Sequence, residues 1–519
     1  MKNRIIITII LITSLFIGAC KKALDLNPSD QIATSTFYKS KADFDEALAA
    51  VYASLQPEEF AVGIGFRDGF TDNGYNQFNS GSAKDFVQGN FNPTTGGYET
   101  AIYNDSYIGI ARVNLFLQNL TNYKGADISD AQRKVYEGEV RFVRAFFYFQ
   151  LYSIYGDVPM VLQPLNLSNQ KQAKVPAAQV LTQITTDLDY SISNLNATAY
   201  YANGGHAAAS SAKALKARVL LFAAFGKTGT PDPAMLTQVR DLCLDLMGQY
   251  KLSTNFEDIF RDATQKNNTE IIFSINFLAP NNTAPWDMYY GDWDACAPLQ
   301  NMVDAFECTD GQPYGVSPLT DTQNQFNNRD PRLAKTVYND SVYFGPGKVH
   351  HPSNLRPTGY GVIKFLEPNN IPYGFSTLSQ QDAVILRLGE VMLMYAEAQN
   401  EIVGPDATVY KAMADLRTRV NMPAYPAGYT KDQMRDRIRH ERRVELAFEN
   451  VRFFDVRRWK IAEQTDNGPI YGLNINADLP DFLNVVPFET RVFSKRHYFF
   501  PIPQKDVDTD KKLVQNPGW

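Results

Sequence analysis

The sequence predicts a mostly α-helical fold, a scaffold of helical hairpins carrying an irregular, loop-rich part with a few short strands. Two observations carry this. Apolar residues recur at spacings of three and four through most of 41–250 and again through 383–460, the period of an amphipathic helix. Between them, over about 255–381, that period disappears into loops full of Asn, Pro, Gly and Tyr. A high aromatic content, 13% of the chain, adds that those loops carry large flat side chains.

Residues 1–19 stand apart. Lys2 and Arg4 precede an apolar run from Ile5 to Ile17, shorter than the roughly 20 residues a membrane-spanning helix needs. The run closes on Ile17, Gly18, Ala19 and Cys20, which looks like a lipobox: cleavage before Cys20 and lipidation of its thiol. More than one acyl chain at this position makes a stable bilayer anchor. From Cys20 onward the chain exceeds the usual single-domain size.

The elements then follow in order. Phe44, Ala47, Leu48, Val51 and Leu55 mark a helix over 41–55, and 103–120 reads the same way. The longest early helix covers 132–155, with Phe142, Ala145, Phe146 and Phe149 on one stripe and Gly156 and Pro159 as its stop. Segments 180–195 and 210–225 form a pair, and a third helix begins at Pro233. The 212–224 stretch is dense in alanine, which lets helices approach closely as in tetratricopeptide-type hairpins, although no 34-residue repeat is visible and ordinary core packing accounts for the same alanines. A short β-branched and aromatic run at 270–277 predicts a strand. Helices resume over 383–401, 409–420 and 430–460, and the C-terminal stretch is loop-rich. The boundaries expected are a scaffold over about 38–255 and 383–460, and an irregular part over about 256–382 and 461–519.

Net charge is −6 with both signs dispersed, and no basic stripe points to nucleic acid. Three cysteines besides Cys20 exclude a disulfide framework, leaving one optional bridge between Cys296 and Cys308. His206, His350, His351, His440 and His497 form no HExxH motif, although adjacent His350 and His351 have metal-chelating chemistry. No GxSxG or phosphate-binding loop is present. Two carboxylate pairs, Asp68 with Asp72 and Asp292 with Asp294, are the only hydrolase-like feature, and their spacing does not specify a glycosidase. No enzyme is predicted. No cofactor is implied, and no motif specifies whether calcium orders the loops.

Several motifs together resemble one family. After Cys20 come Leu24, Asp25, Leu26, Asn27 and Pro28. Arg141, Phe142, Val143, Arg144, Ala145 and Tyr148 then lead into Tyr155, Gly156, Asp157, Val158 and Pro159. Further on stand Leu386 to Ala398, with Arg387, Glu390, Tyr395 and Glu397. Next are Glu441, Arg442, Arg443, Glu445, Phe448 and Glu449, continuing through Arg452, Asp455, Arg458 and Trp459. The chain closes on Pro501, Ile502 and Pro503 and on Asn516, Pro517, Gly518 and Trp519. In this order they resemble the RagB/SusD family of outer-membrane nutrient-binding lipoproteins of Bacteroidetes. The resemblance implies about four tetratricopeptide-like helix pairs with an irregular part packed on them. It also implies an outer-membrane location facing the cell exterior, and a SusC-like TonB-dependent transporter as partner. The implied role is non-catalytic capture of an oligosaccharide, with peptide in some members.

The acids and arginines of these motifs fall at helical spacings. Glu441, Glu445, Glu449 and Arg452, like Arg387, Glu390 and Glu397, are expected to tie helices together as an ion-pair lattice. Sugar binding needs flat apolar faces rimmed by hydrogen-bonding groups. Two segments read as loops have that mix. The first, from Phe66 to Phe78, offers Arg67, Asp68, Asp72, Asn73 and Tyr75. The second offers Trp286, Tyr289, Tyr290, Asp292 and Trp293. Peptide capture, surface glycoside hydrolysis and a lid with little ligand affinity of its own are the competing readings.

Overall fold

The computed structural model describes residues 37–61, 67–226, 228–351, 358–475 and 484–519. The signal segment, Cys20, the 24–28 motif and Phe66 lie outside the described residues. No helix among those residues is long and apolar enough to cross a membrane.

Ten principal helices build the scaffold. Helix α1 (Lys41–Ala53) starts at Ser40, whose hydroxyl accepts from the Asp43 N–H while the Asp43 carboxylate accepts from the Ser40 N–H, a reciprocal cap for two otherwise unpaired donors. Helices α2 (Tyr98–Asn122) and α3 (Asp130–Tyr155) follow, the second capped by Ser129. Then come α4 (Ala177–Asn194), α5 (Ala209–Ala224) and α6 (Pro233–Met247). Asp232 caps α6, and Pro233 sits where its missing N–H costs nothing. After the irregular part come α7 (Leu388–Ile402), α8 (Ala407–Arg419), α9 (Lys431–Glu445) and α10 (Val451–Arg458).

Each helix from α1 to α6 packs against the next, and α7 packs on both α6 and α8. The irregular part therefore leaves the stack after α6 and returns to it at α7. Close approach is built in at α2 and α3, where a Cβ at Gly109 would lie 2.1 Å from the Phe147 ring. Phe142, Val143, Ala145 and Phe147 of α3 are completely buried, each phenylalanine contributing about 1.5–3 kcal/mol of hydrophobic free energy.

Four short strands position the loops. β1 (Gly74–Asn76) pairs antiparallel with β3 (Cys296–Pro298), and β2 (Ile271–Ile275) with β4 (Ala383–Arg387). Here the structure corrects the sequence in two places and settles the optional bridge between Cys296 and Cys308. Residues 383–387 are strand, because Ala383, Val384 and Leu386 complete a pair with the buried β2, and the helix begins only at Leu388. The helix expected over 430–460 is two, since Phe448 (φ +62°) and Asn450 (φ +69°) take left-handed backbone between α9 and α10. Cys296 and Cys308 are free buried thiols, Cys296 within β3 beside Gly74 and Cys308 bridged through its backbone to Arg329.

The ion-pair lattice is present. Glu445, with no exposed surface, is met by Arg332, Arg387 and Arg419 at 2.8, 2.8 and 2.6 Å. Burial pushes its carboxyl up, but Arg419, Arg387 and Arg332 outweigh burial and hold it well below the usual range. Glu441 joins Arg332 to Arg417, and Glu449, beyond the helix break, joins Arg387 to Lys364. These pairs span α8, α9, β4 and the irregular part, so the motif residues hold scaffold to loops.

Candidate functional site

The early segment does not present its polar groups to solvent. Arg67, Asp68, Asp72 and Asn73 are all buried. The Arg67 guanidinium donates to Gln150 Oε1 (2.9 Å) and the Glu59 carbonyl (3.1 Å). Asp68 accepts from Asn73 Nδ2 (2.8 Å) and from the Asn450 N–H (3.1 Å), and burial raises its carboxyl to about 6. Asp72 receives two bonds of 2.8 Å from Arg452, and Asn73 Oδ1 accepts from Arg443 Nε at 2.8 Å. Burial alone would raise Asp72, but Arg443 and Arg452 hold it near 2. This segment is a clamp on the α9–α10 joint rather than a sugar rim. Arginines at 443, 452 and 491 supply the charge that lets carboxylates be buried there, and Arg491 also donates to the Gly69 and Gly74 carbonyls. Tyr75 is half-buried on β1, its ring edge-on to Phe488 at 4.9 Å.

The central segment divides by helical geometry. Residues 288–292 make a π-helical turn, closed by the Trp293 N–H donating to the Met288 carbonyl at 2.9 Å. Side chains four apart therefore share a side. Trp286 and Tyr290 turn inward, 2% exposed each, and pack with Phe365 at centroid distances of 4.7 and 5.5 Å. The Trp286 indole N–H donates to the Gln381 carbonyl at 3.1 Å. Both are core residues, against the sequence expectation. Tyr289 and Trp293 turn the other way and remain half-exposed.

Three segments converge on Trp293. Its ring meets Phe78 at 5.9 Å, Tyr289 at 5.6 Å and Phe375 at 5.0 Å, the first and last nearly edge-on. Phe78 is 39% and Phe375 80% exposed, large apolar rings turned to water. The Tyr289 hydroxyl donates to Glu58 Oε1 at 2.6 Å. Burial, then Glu58, raises that phenol, so it stays protonated as a donor. The Asp292 carboxylate lies beside the 373–377 turn, 4.0 Å from where a Gly374 Cβ would sit. The arrangement is an open aromatic platform with carboxylate acceptors at its edge. Sequence reading missed Phe78 as a platform ring, placed Phe375 nowhere, and did not find Glu58. The available signal was the helical spacing of 286, 289, 290 and 293, which sorts four aromatics into an inner and an outer pair.

The carboxylates considered for hydrolysis do not face one another across a cleft. Asp68 and Asp72 are committed to buried bonds. Asp294 is buried and accepts from the Tyr338 hydroxyl at 2.8 Å, while Asp292 stays at the surface. Among the described residues no group of three His, Cys, Asp or Glu side chains is placed to hold a metal ion. His350 is buried against Tyr338 and Tyr373, whereas His351 bonds outward to Ser341.

The helices stack in pairs, and residues 78, 289, 293 and 375 form an open aromatic surface on the loops between them. Residues 256–519 match the model of the SusD family, and residues 23–221 match a model described as starch-binding associating with outer membrane. The chain belongs to the SusD family. It is similar to a SusD-like protein of Formosa agariphila, 24% identical over 99% of this chain and 98% of that one. Its fold is that of a SusD-like carbohydrate-binding protein of Bacteroides fragilis (TM-score 0.81, 22% identity, 92% of this chain and 100% of the other). It is also that of a laminarin-binding SusD-like protein (TM-score 0.69, 22% identity, 93% and 100%).

Proposed function

We propose that this protein is a surface lipoprotein, anchored through Cys20 in the outer membrane, that captures oligosaccharides on the Trp293 platform. It then delivers them to a SusC-like TonB-dependent transporter. The observation that carries the reading is the exposed cluster of Phe78, Tyr289, Trp293 and Phe375. Aromatic rings left partly in water forgo hydrophobic free energy that a covering ligand recovers, and sugar rings present the matching apolar faces. Asp292 and Glu58 supply acceptors for hydroxyl groups. The names of similar proteins, one carbohydrate-binding and one laminarin-binding, support the ligand class. Capture is passive in this reading, since Asp68, Asp72 and Asp294 are committed to buried bonds.

The test is isothermal titration of soluble protein lacking residues 1–20 against laminarin-derived, starch-derived, other plant and host oligosaccharides, with peptides in parallel. Saturable glycan binding without product formation is expected. Trp293→Ala should weaken it by roughly thirty-fold, the ~2 kcal/mol of a central aromatic anchor. Full binding by Trp293→Ala, or peptide binding alone, would overturn the assignment.

A further inference from the structure

A second cleft opens beside the platform. It has a volume of about 410 Å³ and lies between the 200–205 turn and the residues that follow β2. That volume is in the range of small-ligand sites. Gly204 and Gly205 take φ of +65° and +86°, so the turn runs without side chains along one wall. A Cβ at Gly205 would come within 2.4 Å of Asn276 Nδ2, so the turn lies directly against that amide.

The lining is mostly polar. Tyr201 is half-buried, its ring edge-on to Tyr250 at 6.0 Å, and contributes an aromatic wall. Asn267, Asn276 and Asn282 are exposed amides around the opening. Asp382 is buried in the lining, its Oδ1 accepting from the Phe277 N–H at 2.9 Å and its backbone clamped on both sides by Gln265. Exposed Lys266 lines the same cleft; it forms no ion pair with Asp382 but offsets part of the rise that burial imposes on that carboxyl, so the lining carries one charge of each sign. One aromatic wall, several amides, a carboxylate acceptor and a lysine donor of opposite charge suit an uncharged, hydroxyl-rich ring.

Two bonds tie this cleft to the platform. Gln56 Nε2 donates to the Asn276 carbonyl at 3.0 Å, and two residues later Glu58 accepts from Tyr289 at 2.6 Å. Residues two apart are at most about 7 Å from one another along the chain. The connecting backbone from 276 to 293 is pinned by the Leu278–Asn282 and Ala284–Ser379 bridges. The two surfaces are held as neighbours on ordered chain.

We propose that the cleft lined by Tyr201, Asn276, Asn282 and Asp382 is a second subsite, which takes uncharged sugar units further along the chain held at Trp293. The inference rests on the glycan-capture reading and adds length discrimination to it. A long oligosaccharide engages both surfaces, and a disaccharide reaches the platform alone, so linked contacts multiply affinity only for the long ligand.

Disaccharide and long-chain members of the laminarin- and starch-derived series are titrated against wild type, Asn267→Ala/Asn282→Ala, Tyr201→Ala and Trp293→Ala. Both asparagines are exposed, so the double variant keeps the fold, which circular dichroism verifies. Each cleft variant is expected to lose about tenfold in affinity for the long chain, ~1.4 kcal/mol, and to bind the disaccharide as wild type does. Trp293→Ala weakens both. Equal long-chain affinity in wild type and both cleft variants overturns the subsite while leaving capture at Trp293 intact. Loss of disaccharide and long-chain binding alike in the cleft variants overturns it as well, by making the cleft part of the primary site. Failure of wild type to bind any member of the glycan panel removes the capture reading, and the subsite with it.

Discussion

Glu397 shows how a residue of this scaffold is used. Its carboxylate accepts from both Arg458 terminal nitrogens at 2.6 Å and from the Trp459 indole N–H at 2.8 Å. Burial would raise its carboxyl, but Arg458, then Arg442 and Trp459, outweigh burial and lower it from 4.5 to about 2. A depressed folded-state value means the stabilisation is present above the unfolded value and is lost as pH falls toward the folded one. Glu397→Gln leaves the arginines short of a charge and should cost about 3–5 kcal/mol at neutral pH. In urea unfolding at a series of pH values, the gap between wild type and variant should be full above pH 4.5 and close on approach to pH 2. A gap independent of pH would show that Glu397 acts through shape and not charge. The tryptophans give the complementary lesson. Trp286 and Trp293 are indistinguishable by residue type, and their roles separate only because a helical turn sends them to opposite sides.

At the scale of elements, the joint between α9 and α10 is the least foreseeable feature. Residues 430–460 carry an unbroken helical pattern with no glycine or proline, yet Phe448 and Asn450 are left-handed. The Asn450 N–H, released from helical bonding, donates to Asp68. Asparagine tolerates this backbone, whereas alanine pays about 1–2 kcal/mol for it. Chemical denaturation should therefore rank Asn450→Ala below Asn450→Gly by about 1 kcal/mol, the Asn450 Oδ1 having no partner among the described residues to lose. An alanine variant as stable as the glycine variant would mean that the joint carries no backbone strain. The break also moves Glu449 and Arg452 off the Glu441–Glu445 face, so that they reach Lys364 and Asp72.

The whole molecule is bound by one main hydrophobic cluster that runs from Phe44 to Leu513. Its continuity depends on α7 covering α6, although the irregular part separates them in sequence. A fragment ending at residue 255 exposes the α6 face of Val239, Cys243 and Leu246, buried in the full chain. We expect this fragment to keep helical circular dichroism but to lose near-ultraviolet signals and cooperative unfolding. Cooperative unfolding of the isolated fragment would make the first six helices an independent domain.

The sequence by itself determined the helical class, most helix positions and the family, because these rest on local periodicity, caps and motif order. It also identified the acid–arginine repeats as scaffold, since charges at helical spacing in apolar helices need partners. Tertiary structure alone decided which polar and aromatic groups face water. Arg67, Asp68, Asp72 and Asn73 look like a binding rim until partners far away in sequence bury them: Gln150 for Arg67, the Asn450 N–H for Asp68, Arg452 for Asp72 and Arg443 for Asn73. The platform likewise joins residues 78, 289, 293 and 375, which no local pattern connects. Exposure is set by what packs on a side chain from elsewhere in the chain, and a residue's own neighbours in sequence do not carry that information.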